Sequence, residues 1–308
     1  MSEAPSAISP SGLDLGALRA SFQLHLRAEN KSPKTLETYT EALDQMIAFL
    51  ERTGMPRHAG SIRREHVEAF LVSLQEGGRS PATVNNRYRS LAAFFRWLAD
   101  EGEEGESPMA RMRPPKVPEQ PVPVLREDQL VALMASCAGR DFESRRDRAV
   151  LRLLIDTGIR RAELAGMMVD DVDLAHEEIT ITRKGGRRQS LSILAKTARD
   201  LDRYLRSRAA HRHAAVDGLW VGPRGELQAN SILQLVRRRG RQAGIPDLFT
   251  HQLRHTAIHD QLAGGASESN VMRRMGWRGR DMLTRYAAST ANDRAKDEHR
   301  RLRIADRL

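Results

Sequence analysis

Residues 250–286 read THQLRHTAIHDQLAGGASESNVMRRMGWRGRDMLTRY. Near the start of this stretch, His251 and Arg254 are three residues apart, so on a helix both side chains leave one face. A guanidinium fork beside an imidazole is a suitable pair for holding a phosphate group. Trp277 follows a Met-Gly pair, and Tyr286 lies in a polar run. Taken alone, Tyr286 predicts only a half-buried surface tyrosine, so its role depends on the rest of the chain.

The composition is typical of a globular protein with room for two domains. The chain has 308 residues, of which 40% are apolar and 29% are charged. Cys137 is the only cysteine, which excludes an intramolecular disulfide and favours a reducing, cytoplasmic compartment. No run approaches the roughly 18 apolar residues of a membrane span, so we expect no membrane association. Residues 1–12 lack an apolar core and predict a disordered leader rather than a signal peptide.

Positive charge is concentrated in the second part of the chain. The formal net charge is +10. Residues 1–121 hold 15 Lys and Arg against 16 Asp and Glu, whereas residues 122–308 hold 35 against 24. A basic second part indicates a polyanionic partner, most often nucleic acid. The alternative is an arginine-rich surface that faces only solvent.

Residues 13–100 predict a small all-α domain. Apolar residues recur at helical spacing in two segments of residues 13–50, and Pro33 marks the start of the second helix. Further helices are predicted over Arg64–Glu76 and over residues 80–100. Residues 101–123 begin with acidic residues and continue with six prolines. This composition predicts an extended linker and a domain boundary.

Two Ser-Pro-x-Thr sequences, beginning at Ser32 and Ser80, predict similar helix starts. Each places hydroxyl groups and backbone N–H groups at a helix N-terminus beside basic residues, an arrangement that can hold a DNA phosphate. Ordinary N-capping explains both serines equally well. The candidate DNA-binding residues of this domain are Lys34, Thr35, Arg79, Thr83 and Arg87.

The second part of the chain predicts a mostly helical domain with one small antiparallel sheet. Between residues 177 and 194, isoleucine or leucine alternates with threonine or serine, typical of two half-buried strands. The strands, residues 177–183 and 188–194, are joined by a Lys-Gly-Gly-Arg turn. Arg187 and Arg188 of this hairpin are further candidates for DNA contact. The basic run 237–241 is either a DNA-facing or a solvated helix end. Helices are predicted over residues 127–138, 145–156, 159–164, 195–208, 229–243, 250–262, 268–275, 280–288 and 292–306.

Four short motifs and a tyrosine, in a fixed order, resemble those of a known family. The motifs are TGIRRAEL at 157–164, KG at 184–185, HQLRH at 251–255 and MGW at 275–277, and the tyrosine follows nine residues after the tryptophan. They resemble the motifs of the tyrosine recombinases of the phage integrase family. The resemblance covers about residues 13–288. It implies a mainly α fold, with an N-terminal all-α core-binding (SAM-like) domain over 13–100 and an α+β catalytic domain over 124–308.

The resemblance implies six catalytic residues, which are Arg160, Lys184, His251, Arg254, Trp277 and Tyr286. Arg160 and Arg254 clamp the non-bridging oxygens of a DNA phosphate, where negative charge concentrates during attack. Tyr286 is the nucleophile, and it needs positive charge or a base nearby because its ordinary pKa is about 10. Lys184 acts as the general acid that protonates the departing 5′ oxygen.

Two of these catalytic residues, His251 and Trp277, and one supporting residue, Glu163, have the following roles under the same resemblance. His251 exchanges the tyrosine proton or binds the phosphate, and Glu163 braces an arginine or the short helix. Most members have His where this chain has Trp277, and the indole Nε1–H is a donor only. Trp277 therefore donates to a phosphate oxygen or packs against the tyrosine helix. Proton transfer then falls to Lys184 and His251.

No cofactor or metal is expected. One phosphodiester is exchanged for another through an enzyme link, which requires neither ATP nor a metal ion. His255 and His259 are spaced as metal ligands can be, and so are His211 and His213. Neither pair is completed by a carboxylate or cysteine, so we do not expect a metal site at either.

The sequence therefore predicts a site-specific recombinase that cleaves and rejoins double-stranded DNA through a 3′-phosphotyrosine, in integration, excision or dimer resolution. The implied assembly is a tetramer on paired DNA sites, of this chain alone or with a paralogous recombinase. The alternatives are a type IB topoisomerase-like enzyme and a catalytically silent DNA-binding protein on the same scaffold. The short segment ahead of residue 13 predicts an Xer-like recombinase or simple integrase without an arm-binding domain. The helix at 292–306 packs on its own domain or on a neighbouring protomer.

Overall fold

The computed structural model describes residues 14–101, 106–118, 122–183, 185–277, 279–280, 283 and 286. Contacts between Cα atoms divide the chain into two units, Met1–Gln120 and Pro121–Leu308. Within the described residues, no helix combines the length and apolar character needed to cross a membrane.

Some predicted segments lie outside the described residues. They are the leader 1–12, the last helix 292–306, part of the linker 101–123, all but three residues of the helix 280–288, and Lys184. What the sequence predicts for these segments is not tested by the structure and stays a prediction.

The first unit consists of helices that begin where the sequence predicts. Ser32 and Ser80 each accept a hydrogen bond from the backbone N–H three residues on, at 3.2 Å in both cases, and a proline follows each serine. A capping hydroxyl satisfies one of the unpaired N–H groups of the first turn. The helices are α1 (Leu15–Ala28), α2 (Pro33–Thr53), α3 (Arg64–Glu76) and α4 (Pro81–Asp100).

An aromatic cluster forms the centre of this unit. Phe22 of α1 packs edge-on against Phe94 of α4 at 5.2 Å between ring centroids, and both side chains are buried. Residues 106–115 of the predicted linker pack back on the same unit. Met109 is buried in its core, and the Tyr88 hydroxyl donates to the Met112 carbonyl at 2.7 Å. This part of the linker is therefore not a free extended segment.

The second unit is helical around a small sheet. Its helices are α5 (Glu127–Ala135), α6 (Phe142–Thr157), α7 (Arg161–Ala165), α8 (Ala195–Ala209), α9 (Ala229–Gln242), α10 (Thr250–Ala263) and α11 (Glu268–Met275). The sheet contains the strands β1 (Val172–Asp173), β2 (Glu178–Thr182) and β3 (Arg188–Ser192). Two further strands, β4 (Val221–Gly222) and β5 (Gly225–Glu226), form a separate two-stranded sheet. Short 3-10 turns cover Ala59–Ser61 in the first unit and Val169–Asp171 in the second.

The predicted hairpin is confirmed as β2 and β3. They pair antiparallel in the register Ile179↔Leu191, and β1 pairs with β2 on its other side. Ile179, Ile181 and Leu191 face the core, as their alternation with Thr and Ser predicts. The two-residue strands β1, β4 and β5 were not predicted, because a pair of residues is too short for alternation to be detected.

Helix α6 crosses the middle of this unit and packs against α8 and α10. It starts at Phe142, three residues before the predicted start, because the Asp141 carboxylate accepts from the Ser144 N–H at 2.9 Å. The mainly α fold with a small antiparallel sheet is confirmed. This fold brings four elements together in one region: the carboxyl end of α6, the β2–β3 hairpin, α10 and α11.

Candidate active site

The carboxyl end of α6 places the first motif of the site. Gly158 follows the last helical residue with φ +62°, in the left-handed region that favours glycine. A Cβ at this position would lie 3.1 Å from Met275 Cε and 3.2 Å from Ala257 Cβ. The Gly158 carbonyl accepts a hydrogen bond from Arg254 Nη1 at 2.5 Å. A glycine is therefore needed both for the backbone turn and for the close approach of α10 and α11.

Glu163 holds Arg160 from within the protein. Its Oε2 accepts from the Arg160 backbone N–H at 2.8 Å, and its Oε1 accepts from Arg160 Nη1 at 2.9 Å. Oε2 also accepts from Arg183 Nη1 at 2.9 Å. The Arg160 side chain remains 42% exposed, against 6% for Glu163. Arg160 is thus fixed on one side and open on the other.

The Glu163 carboxylate is ionised in this setting. Burial alone would raise its pKa, but the hydrogen bond from the Arg160 N–H and the charge of Arg183 outweigh burial and hold the pKa below its usual range. Arg183 was not among the predicted site residues. Nothing in its sequence neighbourhood distinguishes it from the other hairpin arginines.

Arg254 is the buried member of the arginine pair. Only 4% of the residue is exposed. Beyond its bond to Gly158, its Nη2 donates to the Met275 carbonyl at 3.3 Å, and its guanidinium carbon lies 5.8 Å from the centre of the Trp277 ring. Burial and then the charge of Arg160 lower the pKa of Arg254 to about 10, so it is still protonated at neutral pH.

Tyr286 is buried, with 2% of its surface exposed. It belongs to an apolar cluster and stacks on Trp277, with ring centroids 5.5 Å apart and planes 22° apart. Tyr286 is therefore not the half-buried surface tyrosine that its local sequence, taken alone, predicts. The polar run around Tyr286 did not predict its burial, because the partners come from other elements: Ile258, Leu262, Val271 and Met275.

His255 contacts the hydroxyl of Tyr286. Its Nδ1 and the tyrosine oxygen share a hydrogen bond, and the two rings lie 5.3 Å apart. His255 follows Arg254 directly in the HQLRH motif but was considered only as a metal ligand. Within the described residues, no group of three or more His, Cys, Asp or Glu is arranged to hold a metal ion.

His251 lies one turn before His255 on α10, with the two rings 6.2 Å apart. The residue is exposed. Loss of hydration, followed by the charges of Arg254 and Arg160, holds its pKa below the usual range. His251 is therefore mainly neutral at pH 7, and it lies close enough to Arg160 for the charge of that arginine to affect it.

The predicted DNA-binding residues of the first unit differ in accessibility. Arg79 is exposed, and Lys34 is exposed beside Glu37 at 2.7 Å. Thr35 and Thr83 each share a hydrogen bond with the capping serine, at 2.8 and 2.9 Å.

Arg87 does not fit the prediction of DNA contact. It is 9% exposed, and its guanidinium binds Glu41 at 2.6 Å and Gln45 at 2.9 Å. Because these partners lie on α2, Arg87 joins α4 to α2 and offers little of its guanidinium to a phosphate.

In the second unit, Arg187 is exposed, and Arg188 is exposed but paired with Asp171 at 2.6 Å. The basic run at 237–241 is only partly a surface feature. Arg238 and Arg239 bind the fully buried Asp147 at 2.6 and 2.8 Å. These two arginines therefore do not fit the interpretation of the run as a DNA-facing or solvated helix end, because they neutralise a buried carboxylate.

Comparison with known proteins gives matches to both parts of the chain. The model of the Phage integrase family matches residues 123–293, and that of the Phage integrase, N-terminal SAM-like domain matches residues 18–102. The tyrosine recombinase XerC of Corynebacterium efficiens is 35% identical over 214 residues, which is 68% of each chain.

Solved structures support the same fold. The XerH site-specific recombinase in a post-cleavage complex with difH substrate has a TM-score of 0.72 at 17% identity, covering 95% of this chain and 84% of that one. A lambda integrase tetramer bound to a Holliday junction has a TM-score of 0.68 at 16% identity, covering 90% and 78%.

Proposed function

This chain belongs to the phage integrase family, and we propose that Arg160, Arg254 and Tyr286 form the centre at which it breaks and rejoins DNA. It is a tyrosine-type site-specific recombinase. The observation that carries the residue assignment is the placement of the Tyr286 hydroxyl on His255, beside a Trp277 ring that also borders Arg254.

The reaction is a transesterification at one DNA phosphate. The Tyr286 oxygen attacks phosphorus, the bond from phosphorus to the 5′ oxygen breaks, and a 3′-phosphotyrosyl link and a free 5′ hydroxyl result. Arg160 and Arg254 bind the non-bridging oxygens, and their charge stabilises the pentavalent transition state more than the ground state. A 5′ hydroxyl from the partner strand reverses the step, so the energy of the phosphodiester is conserved.

The reaction requires two proton transfers, one from the Tyr286 hydroxyl and one to the departing 5′ oxygen. We assign the tyrosine proton to His255, because its Nδ1 already contacts the hydroxyl. The prediction from sequence left His251 two roles, exchange of the tyrosine proton or binding of the phosphate, and we favour the second. His251 instead donates to a phosphate oxygen, next to Arg160. Lys184 remains the proposed acid for the departing 5′ oxygen, on the strength of its place in the family motif.

Trp277 has two roles in this proposal. Its ring fixes the Tyr286 ring by stacking, and its Nε1–H serves as a donor to a phosphate oxygen. Glu163 holds Arg160 through its backbone and its guanidinium. It takes no part in proton transfer, since its pKa lies below the usual range of a carboxyl group.

The substrate is duplex DNA, and the acting form is a tetramer on two paired sites. The net positive charge of residues 122–308 and the exposed Arg79 and Arg187 support binding to the DNA backbone. The tetramer is supported by the fold shared with lambda integrase, which has been seen as a tetramer on a Holliday junction. Residues 13–100 form the core-binding domain and residues 124–308 the catalytic domain, consistent with the two family matches. We place the reaction in the cytoplasm.

A covalent-capture experiment tests the function and finds the target site together. Genomic DNA of the source organism is fragmented, nicked at random and incubated with the protein. A nick just 3′ of the cleavage point lets a short piece diffuse away, so the enzyme stays linked to the DNA. We expect protein-linked fragments that share one sequence. The same preparation of Tyr286→Phe serves as the control. A lack of linked DNA with the wild type, or equal linkage with Tyr286→Phe, would overturn the proposal.

A further inference from the structure

The last three carbonyls of α11 are each bound by a side chain from another part of the site. Gln189 Nε2 donates to the Arg273 carbonyl at 2.9 Å, and Arg254 Nη2 donates to the Met275 carbonyl at 3.3 Å. Between them, Arg183 Nη2 donates to the Arg274 carbonyl. Carbonyls at the end of a helix have no partner within the helix, so these contacts satisfy them. They also fix the turn that leads directly to Trp277.

Arg183 makes the widest set of contacts at this point. Its Nη1 donates to Glu163 Oε2 at 2.9 Å, and its Nε donates to Gln189 Oε1 at 3.0 Å. Its side chain is 7% exposed. One guanidinium therefore connects the carboxylate that holds Arg160 to the turn that carries Trp277.

The close fit at Gly276 supports this connection. Gly276 caps α11 with φ +69°, and a Cβ there would lie 3.1 Å from Arg183 Nε. The backbone of Arg183 is also anchored, because its N–H donates to the Arg187 carbonyl at 2.8 Å and its carbonyl accepts from the Gly186 N–H at 3.0 Å. Arg183 thus closes the hairpin turn as well as bridging the two halves of the site.

We propose that Arg183 is a positioning residue for strand cleavage, which keeps the Arg160–Glu163 pair and the Trp277 turn at a fixed distance from each other. The inference rests on the proposed function, because it assumes that Arg160 and Tyr286 act on one phosphate. Arg160 lies at the start of α7, whereas Tyr286 is held by Trp277 after α11. Arg160 can bind a phosphate while Tyr286 attacks it only if the start of α7 and the turn after α11 keep their relative position.

A purely structural role makes a different prediction. If Arg183 served only to stabilise the fold, its replacement would lower stability and leave the cleavage rate of folded, DNA-bound protein unchanged. A positioning role lowers that rate while DNA affinity is kept, since the guanidinium touches protein groups and not solvent. The rate at saturating DNA therefore distinguishes the two roles.

The test uses Arg183→Lys and a matched control, Arg208→Lys. A lysine can still pair with Glu163 but cannot hold Gln189 and the Arg274 carbonyl at the same time. Arg208 is another buried arginine of the same unit, 5% exposed, and it binds the carbonyls of Gly218 and Leu219 at 2.7 and 3.0 Å. It lies outside the candidate site, so it reports the effect of the same replacement on folding alone.

The measurement is single-turnover formation of the phosphotyrosyl link on a nicked duplex carrying the captured site. For Arg183→Lys we expect a rate at saturating DNA about tenfold or more below wild type, with a Kd for DNA within about threefold. For Arg208→Lys we expect a lower Tm and an unchanged rate. A wild-type rate for Arg183→Lys would overturn the inference while leaving the proposed function intact, because the wild type serves as the reference in the same assay.

A substrate with sulfur in place of the bridging 5′ oxygen refines the result. The 5′ sulfur leaves as a thiolate without a general acid, because thiols are far more acidic than alcohols; the thiol of cysteine, for example, has a pKa of about 8.5. This substrate should restore the cleavage rate of Lys184→Ala. Arg183→Lys should remain slow, because Arg160 and Tyr286 are still displaced relative to each other. Full restoration of Arg183→Lys would overturn the inference.

A second variant covers the case in which Arg183→Lys does not fold. Gln189→Ala removes the bond to the Arg273 carbonyl and one contact of Arg183 but leaves the pair with Glu163. We expect its cleavage rate to fall severalfold at saturating DNA. A wild-type rate for Gln189→Ala would contradict the proposed coupling of the hairpin to α11.

Discussion

Nδ1 of His255 and the hydroxyl of Tyr286 are joined by a hydrogen bond. His255 stands next to Arg254 in the chain, so one turn of α10 supplies both the proposed phosphate clamp and a partner for the proposed nucleophile. The proposed acceptor of the tyrosine proton therefore lies on the same helix as the proposed clamp.

Replacing His255 is expected to slow cleavage strongly. A positioned general base contributes about 100-fold or more, so His255→Ala should reduce the single-turnover rate of phosphotyrosyl formation by about that factor. His259→Ala is the matched control, since His259 is on the same helix and contacts Asp260 rather than the tyrosine. Equal rates for the two variants would contradict the assignment of the proton to His255.

The stacking of the Trp277 ring and its Nε1–H group should each contribute to the cleavage rate, and two variants separate the contributions. Trp277→Phe keeps an aromatic ring beside Tyr286 and removes the Nε1 donor, whereas Trp277→Ala removes both. We expect the cleavage rate to fall in the order wild type, Trp277→Phe, Trp277→Ala. We also expect Trp277→Ala to lose about 2 kcal/mol of unfolding free energy, because the half-buried ring is replaced by a cavity. Chemical denaturation and the adduct assay measure the two effects.

Gly158 should tolerate alanine poorly for two reasons. The positive φ costs about 1 kcal/mol for any residue with a Cβ. The added Cβ also meets Met275 and Ala257 at 3.1 and 3.2 Å. Gly244 in the same unit has φ +74°, and a Cβ added there would meet nothing within 4 Å. Gly244→Ala should therefore lose only the stability that positive φ costs. Gly158→Ala should be about 1 kcal/mol less stable than this control in urea unfolding, because its Cβ is also crowded.

The lowered pKa of His251 makes stability depend on pH in a defined direction. Below pH 6.5 the unfolded chain binds a proton at His251 that the folded protein binds less readily, so stability falls as the pH is lowered. The effect should be a fraction of the ~1.4 kcal/mol expected for one full pKa unit, since the residue is exposed. Wild type should therefore lose more stability between pH 7 and pH 5.5 than His251→Gln. A larger loss in the variant would contradict the direction of the shift.

Two arginines of the first unit should respond differently to replacement. Arg79 is exposed, so Arg79→Ala should weaken DNA binding and reduce the slope of log K against log salt by about 0.9 for one lost phosphate contact. Arg87 is bound by Glu41 and Gln45 within the unit. Arg87→Ala should lower the unfolding free energy by about 1 kcal/mol and leave the salt slope unchanged. Titrations at several salt concentrations distinguish the two.

Much of the helical framework and the family could be predicted from short-range pattern. Ser32 and Ser80 mark helix starts because a hydroxyl caps an N–H only three residues away. The limits of α3 and α11 agree with the prediction to the residue, and the resemblance to the phage integrase family is confirmed. Such signals are local: the residues that generate them are neighbours in the chain, so no knowledge of the tertiary fold is required.

The contacts of the site's charged and aromatic residues were decided by tertiary structure. The sequence places His255 next to Arg254, but only the fold brings Tyr286 to His255. The sequence also places Arg183 in a hairpin, but only the fold brings Glu163 to Arg183. Tyr286 is buried by residues of α10 and α11, although its own polar surroundings predict only a half-buried side chain. Burial and the partners of a charge depend on segments far apart in the chain, which periodicity and spacing do not relate. For that reason the sequence by itself determined the family and the proposed catalytic residues with their order, whereas only the tertiary structure showed which histidine contacts the tyrosine.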